Sequence, residues 1–238
     1  MSDRSTLQWG GLAGIVGGGL FILVFLLVGV VIGAEPTGPA GPIERFPEIR
    51  TARTLENGLY LAVLGLWVLS YLAAYRALAG TSPASALFGS AIGIVSLVVL
   101  AVGAVPHAAS IPLSDAYRAA GTPDAQDALV VAWHTTQGIF NALLITGLAL
   151  VPFSLVLLGI AMLRTPAFGS RYGAVTVALS VAGAASAVAL LLDPESLLAV
   201  IGVFALIVFH IVMGVKLYAL SRSGSPGARG IRTEIAAG

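Results

Sequence analysis

Residues 128–163 read ALVVAWHTTQGIFNALLITGLALVPFSLVLLGIAML, and no Asp, Glu, Lys or Arg occurs between Asp127 and Arg164. A membrane helix needs roughly 20 predominantly apolar residues to cross about 30 Å of hydrocarbon. Thr122-Pro123 places a capping side chain just before a proline, a favoured start for a helix. A helix running from Pro123 to Leu163 is about 60 Å long at ~1.5 Å per residue, twice that thickness. The stretch therefore predicts a span over about 138–163 and, before it, several turns that stand outside the bilayer or lie along its interface.

The same reading extends to the rest of the chain. Between charged residues lie five more apolar stretches, at about 12–34, 57–75, 85–105, 172–192 and 196–216. Ser82-Pro83, Thr165-Pro166 and Asp193-Pro194 repeat the start signal seen at Thr122. The composition agrees: of 238 residues, 58% are hydrophobic and 10% charged, with mean hydropathy +0.98. Soluble domains carry about 25% charged residues, so lipid has to be the main solvent here. The expected fold is all-α and polytopic, with a six-helix transmembrane domain over residues 1–221 and a disordered cytoplasmic tail over 222–238. The apolar run of the first span exceeds the ~7–15 residues of a signal-peptide core, so it is expected to remain in the mature fold.

Lys and Arg orient the bundle. With the N-terminus in the cytoplasm, the inner segments hold Arg4, Arg76, Arg164, Arg171, Lys216, Arg222, Arg229 and Arg232; the outer loops hold Arg45, Arg50, Arg53 and Arg118. The basic residues therefore favour both termini inside and location in a cytoplasmic (inner) membrane. Two outer segments are longer than connectors need to be. The first opens with Pro36, Pro39 and Pro42 as extended chain, and Pro47-Glu48-Ile49-Arg50 reads as the start of a helix entering span two. The second includes 115–127. Together with the overhang of the fourth helix they predict a small extracytoplasmic cap.

Small residues predict how the spans associate, since close approach replaces the hydrophobic drive that lipid removes. Gly10, Gly14 and Gly18 share one ridge of span one, Gly89 and Gly93 one of span three, and Ala174, Ala178, Ala182 and Ser186 one of span five. Tyr60, Leu64, Trp67, Tyr71 and Tyr75 recur at helical spacing in span two, which reads as a packed face ending in interfacial anchors.

Chemistry has few places to reside. A net charge of +1 leaves no footprint for nucleic acid, and the absence of cysteine removes thiolate metal sites and thiol nucleophiles. No Gly-x-Ser-x-Gly elbow, phosphate loop or dinucleotide fingerprint occurs. No span contains an aspartate, which excludes intramembrane proteolysis by an aspartate pair, and bare interiors exclude charge-coupled transport. His210 is the one titratable group deep in a span. The plainer account is a neutral imidazole bonded within the bundle; a ligand contact or proton relay is the sharper one. Near the outer face, His134, Gln137 and Asn141 lie three and four apart on one side of the fourth helix, with Asn57 and Tyr60 at the outer end of span two. These are the candidate ligand-binding residues. His107, His134 and Glu56 are the candidate metal ligands, since histidine with carboxylate suits first-row metals, although no paired His-x-x-x-His supports them. Polar stitching of the cap is the plainer account of the whole group.

The segment Leu157-Leu158-Gly159-Ile160-Ala161-Met162-Leu163-Arg164-Thr165-Pro166-Ala167-Phe168-Gly169, continuing to Tyr172-Gly173-Ala174-Val175, resembles a recurring element of a bacterial domain-of-unknown-function family of small six-span integral membrane proteins. In that family a span ending Leu-x-Gly meets a short cytoplasmic turn with Ser, Phe and Pro, and the next span opens on Gly. Leu12-Ala13-Gly14 and the outer His134 fit the same pattern, whereas Pro166 comes early and Gly169 stands where the family often has proline. The resemblance implies a fold and no activity. The expectation is a non-enzymatic protein that needs no cofactor and binds a small apolar or lipid-like ligand, a second copy or a membrane partner. The alternatives are a facilitator or exporter of small neutral solutes and a metal-dependent membrane enzyme with an outer site.

Overall fold

The computed structural model describes residues 3–193 and 196–223; of the tail expected over 222–238, Arg222 instead closes the last helix, and residues from 224 onward lie outside the described ones. Of the described residues, 88% are helical and none lies in a strand. It comprises α1 (Asp3–Leu26, continued by a π-helical turn Leu27–Ile32), α2 (Gly41–Leu78), α3 (Pro83–Val102), α4 (Ala104–Ala119), α5 (Pro123–Arg164), α6 (Ser170–Leu192) and α7 (Ala199–Arg222). Six of these units, α3 and α4 counting as one, are long and apolar enough to cross a membrane. It is an all-α polytopic membrane protein.

The six spans form a closed ring in chain order: each packs on the next, and α7 returns to α1. Across the interior α2 touches both α5 and α7. The core between them buries Trp67, Tyr71, Leu97, Leu155, Leu206 and Leu217 completely or nearly so. Large apolar side chains such as Phe88, Phe153, Val181 and Leu191 point outward, where lipid replaces water as the favourable surroundings.

Glycine sets the closeness of the ring. A Cβ on Gly14 would stand 2.7 Å from the His210 carbonyl oxygen of α7 and 2.9 Å from Ser70 Oγ of α2, so only hydrogen fits between the three helices. Gly89 meets Leu158 in the same way, as the spacing of the small residues predicts. Hydroxyls add bonds between helices: Ser96 donates to the Gly147 carbonyl (2.7 Å) and Ser154 to the Gly89 carbonyl (2.7 Å). In α6 the expected ridge is corrected. Ala174 and Ala178 face outward and Ala182 is half-buried; Ser186 does lie on the packed face, which otherwise carries Gly173, Thr176, Ser180 and Gly183. Ser180 and Ser186 bond the carbonyls of Pro152 and Leu198, so hydrogen bonding selects the face where small size alone does not.

One end of the bundle carries the cap. It consists of residues 33–40, the first turns of α2, α4 and the overhang of α5, and it has its own apolar centre of Ile43, Phe46, Val130 and Trp133. Phe46 and Trp133 meet edge to face at 5.3 Å. The described chain ends, Asp3 and Ser223, lie at the opposite, uncapped end, where Asp3 pairs with Arg76 at 2.8 Å.

Four expected boundaries shift, the first being that α6 starts at Ser170 after a turn, and not at Thr165-Pro166. Helix α2 begins at Gly41, so Pro47 is internal rather than a start. A proline there leaves the Ile43 carbonyl without its helical donor, and Ser114 of α4 supplies one at 3.3 Å. The third span, expected to end near 105, breaks at Gly103 and continues as α4. Pro106 explains the break, since it cannot donate to the Val102 carbonyl. The last helix starts at Ala199, later than Asp193-Pro194 suggests; Pro194 and Glu195 lie outside the described residues. Helix α5 spans Pro123–Arg164 as its sequence predicts, with Thr122 accepting a hydrogen bond from the Ala125 amide.

Candidate functional site

The end of α1 is tied to α2. Its last turn is π-helical and stops at Gly33, whose φ of 66° suits glycine and few other residues. The carbonyls left over at a helix end need donors, and the Arg45 guanidinium donates to those of Ile32 and Ala34. About two turns of α2 further on, Arg53 grips Glu35 (2.9 Å) and Glu56 (3.0 Å) together. This clip ties the segment after α1 to the point where α2 enters the bundle.

Below the clip lies a cavity of about 250 Å³. Phe21, Val24, Phe25 and Val28 of α1 form one wall, Phe140 and Leu144 of α5 another, and Val200 and Val203 of α7 a third. Its polar end is made by Glu56, Asn57 and Tyr60 of α2 with His107 of α4. Asn57 Nδ2 donates to the Ala104 carbonyl (3.4 Å), but Asn57 Oδ1 is buried without a hydrogen-bond partner. Tyr60 donates to the Leu100 carbonyl (3.3 Å), and the His107 ring lies against Phe140 at 4.7 Å. Asn57 and His107 also border a second space of about 110 Å³ between α2 and α4, alongside Arg53 and Phe46.

The floor is aromatic. Phe21 meets Trp67 edge to face at 5.2 Å, and a small void of about 20 Å³ between them leads down to Trp67 and Leu206. Beneath, the His210 ring stacks on Trp67 at 4.1 Å and is wholly buried. Its Nδ1 bonds the Leu206 carbonyl (2.9 Å), the in-helix arrangement that the plainer sequence account expects. His210 Nε2, Trp67 Nε1 and Ser70 Oγ have no partner among the described residues. At the α1–α7 seam, Phe25 and Phe204 stack at 5.3 Å.

The structure separates the sequence-based candidates. Asn57 and Tyr60 line the cavity, and so do His107 and Glu56. His134 is exposed and its Nε2 contacts the Pro39 carbonyl (2.8 Å), Gln137 donates to Ser110 Oγ (3.2 Å), and Asn141 is exposed. His134 and Gln137 thus stitch the cap, and His210 sits behind Trp67 rather than on the cavity wall. The proposed metal set does not assemble: His134 is spent on the Pro39 segment, and no group of three His, Cys, Asp or Glu among the described residues could hold a metal ion. Sequence reasoning missed Arg53 and the apolar walls. Arg53 at i, i+3 from Glu56 was a readable signal, whereas Phe21, Phe140 and Val203 are ordinary span residues far apart in the chain.

Fold and site together define a polytopic membrane protein with an apolar cavity under a polar cap. Comparison with protein-family models, with curated proteins and with solved structures finds no match.

Proposed function

We propose that this chain is a non-enzymatic integral membrane protein that holds a small apolar or lipid-like ligand in the cavity beneath the cap. The observation that carries this reading is the shape and chemistry of that cavity: apolar on three walls, polar at one end, and about 250 Å³ in volume. Ligand pockets are typically apolar clefts of roughly 300–1,000 Å³ with a few convergent polar groups, and this one lies just below that range. It exceeds the ~150 Å³ apolar cavity that accommodates benzene in an engineered protein core. The unpaired Asn57 Oδ1 at the polar end adds support, since buried polar atoms normally have partners.

The proposal includes orientation. The cap faces away from the cytoplasm and the described ends face into it, in a bacterial inner membrane. Arg4, Arg76, Arg164, Arg171, Lys216 and Arg222 at the uncapped end support this by the positive-inside rule, and the likeness of 157–175 to a bacterial six-span family agrees with it.

Native mass spectrometry of protein released from mild detergent tests the reading. The expected result is a retained small-molecule adduct that is lost when Val203→Trp fills the cavity. Protein that carries no adduct from membranes, or the same adduct after filling, would overturn it.

A further inference from the structure

Resting on that reading, we infer that the cavity selects amphiphilic organic cations, alkyl or arylalkyl ammonium compounds, over neutral or anionic compounds with the same tail.

The charge that lines the cavity wall is negative, and the nearby cations lie behind it. Among the described residues lining it, Glu56 alone carries a formal charge, and no Lys or Arg reaches the wall. The Glu56 carboxylate is paired from behind by Arg53, but Arg53 is shared with Glu35, so one guanidinium serves two carboxylates. The nearby Arg45 is engaged by the Ile32 and Ala34 carbonyls and does not line the cavity. Arg53 and Arg45 balance Glu56 and Glu35 in total charge, but both guanidiniums stand behind the wall. The formal charge that lines the cavity is therefore the Glu56 carboxylate, in low-dielectric surroundings where electrostatic interactions strengthen.

The hydrogen-bonding inventory points the same way. Asn57 Oδ1 is an acceptor with no donor, and Glu56 contributes further acceptor capacity. A ligand head that satisfies them has to donate. An ammonium group offers three donors and no acceptor, whereas a carboxylate head would set an acceptor against acceptors. The rings of Phe21, Phe25, Tyr60 and Phe140 complete the match, because aromatic faces attract cations as well as apolar tails.

The test compares 4-phenylbutylamine, 4-phenylbutanol and 4-phenylbutyrate binding to the purified full chain at neutral pH. The readouts are the thermal unfolding midpoint and a titration followed by tryptophan emission. The amine is expected to bind about tenfold more tightly than the alcohol, the scale of one charge-assisted hydrogen bond, and the carboxylate least. Glu56→Gln is expected to remove the amine's advantage while leaving alcohol binding within about twofold. Asn57→Leu supplies a second variant should Glu56→Gln fail to fold, and it is expected to weaken the amine as well. A carboxylate that binds as tightly as the amine, an amine preference that survives Glu56→Gln, or one that Asn57→Leu leaves undiminished would overturn the inference and leave the ligand-binding reading intact. If none of the three probes shifts the wild-type protein and the Val203→Trp variant behaves identically, the ligand-binding reading fails with it.

Discussion

At the residue scale, positions with no room for a side chain fix the packing of this bundle. Gly14 lies buried against the His210 carbonyl and Ser70, whereas Gly65, exposed on α2, has open space where a Cβ would stand. Gly14→Val should therefore cost about 1–3 kcal/mol by overpacking. Gly65→Ala should leave stability unchanged or raise it by up to about 1 kcal/mol through helix propensity. Thermal unfolding in detergent compares the two; equal midpoints for both variants would contradict the packing described. A second residue-scale test concerns Ser114, which replaces the donor that Pro47 lacks. Ser114→Ala should cost about 1 kcal/mol in the wild type and clearly less in a Pro47→Ala background, where a backbone N–H again reaches Ile43. Strictly additive losses would show that the hydroxyl has another role.

At the scale of elements, the spans were legible and their edges less so. Ser82-Pro83 and Thr122-Pro123 mark the starts of α3 and α5 and Arg164 the end of α5, because proline suits a helix start and a charge is costly in hydrocarbon. Thr165-Pro166 instead falls in the turn before α6, which starts at Ser170. The same proline rule misread Pro47, since only tertiary structure shows that Ser114 compensates for its missing donor. Helix α4 was hidden because its apolar Ile111 and Leu113 bury against the cap rather than lipid. Of the site, Asn57 and Tyr60 stood out as polar groups at a span's end. The walls did not, since nothing in a run of Phe, Val and Leu tells cavity lining from lipid-facing surface. The Arg53 clip gives a prediction at this scale. Arg53→Gln releases Glu35, so amides over residues 33–40 should exchange hydrogen faster while the centre of α5 stays protected. Because Glu35 is 53% exposed, the global stability loss should stay small. Unchanged exchange over 33–40 would mean that Arg45 alone anchors the segment.

For the whole molecule, the orientation is open to direct measurement because the sequence has no cysteine. Gly121 beside the cap and Gly80 at the uncapped end both have free space around them. In intact cells a membrane-impermeant thiol reagent should label Gly121→Cys and spare Gly80→Cys; the reverse pattern would invert the proposed topology. The ring order of the six spans also makes α1 and α7 direct neighbours, so chain closure rather than a long connection completes the bundle.

Helix α5 has a mechanical consequence. One uninterrupted rod carries Trp133 in the cap and Phe140 and Leu144 on the cavity wall, and its first internal proline is Pro152, deeper in the bundle. A rod of this kind is expected to pass a displacement of its outer tip on to the cavity wall, with Pro152, where the helix lacks a backbone donor, as the expected point of flexure. A binder raised against residues 123–130 is therefore expected to alter the release rate of a cavity ligand without touching the cavity. Helix-stiffening Pro152→Ala should blunt that effect, and an unchanged response would show that the fulcrum lies elsewhere.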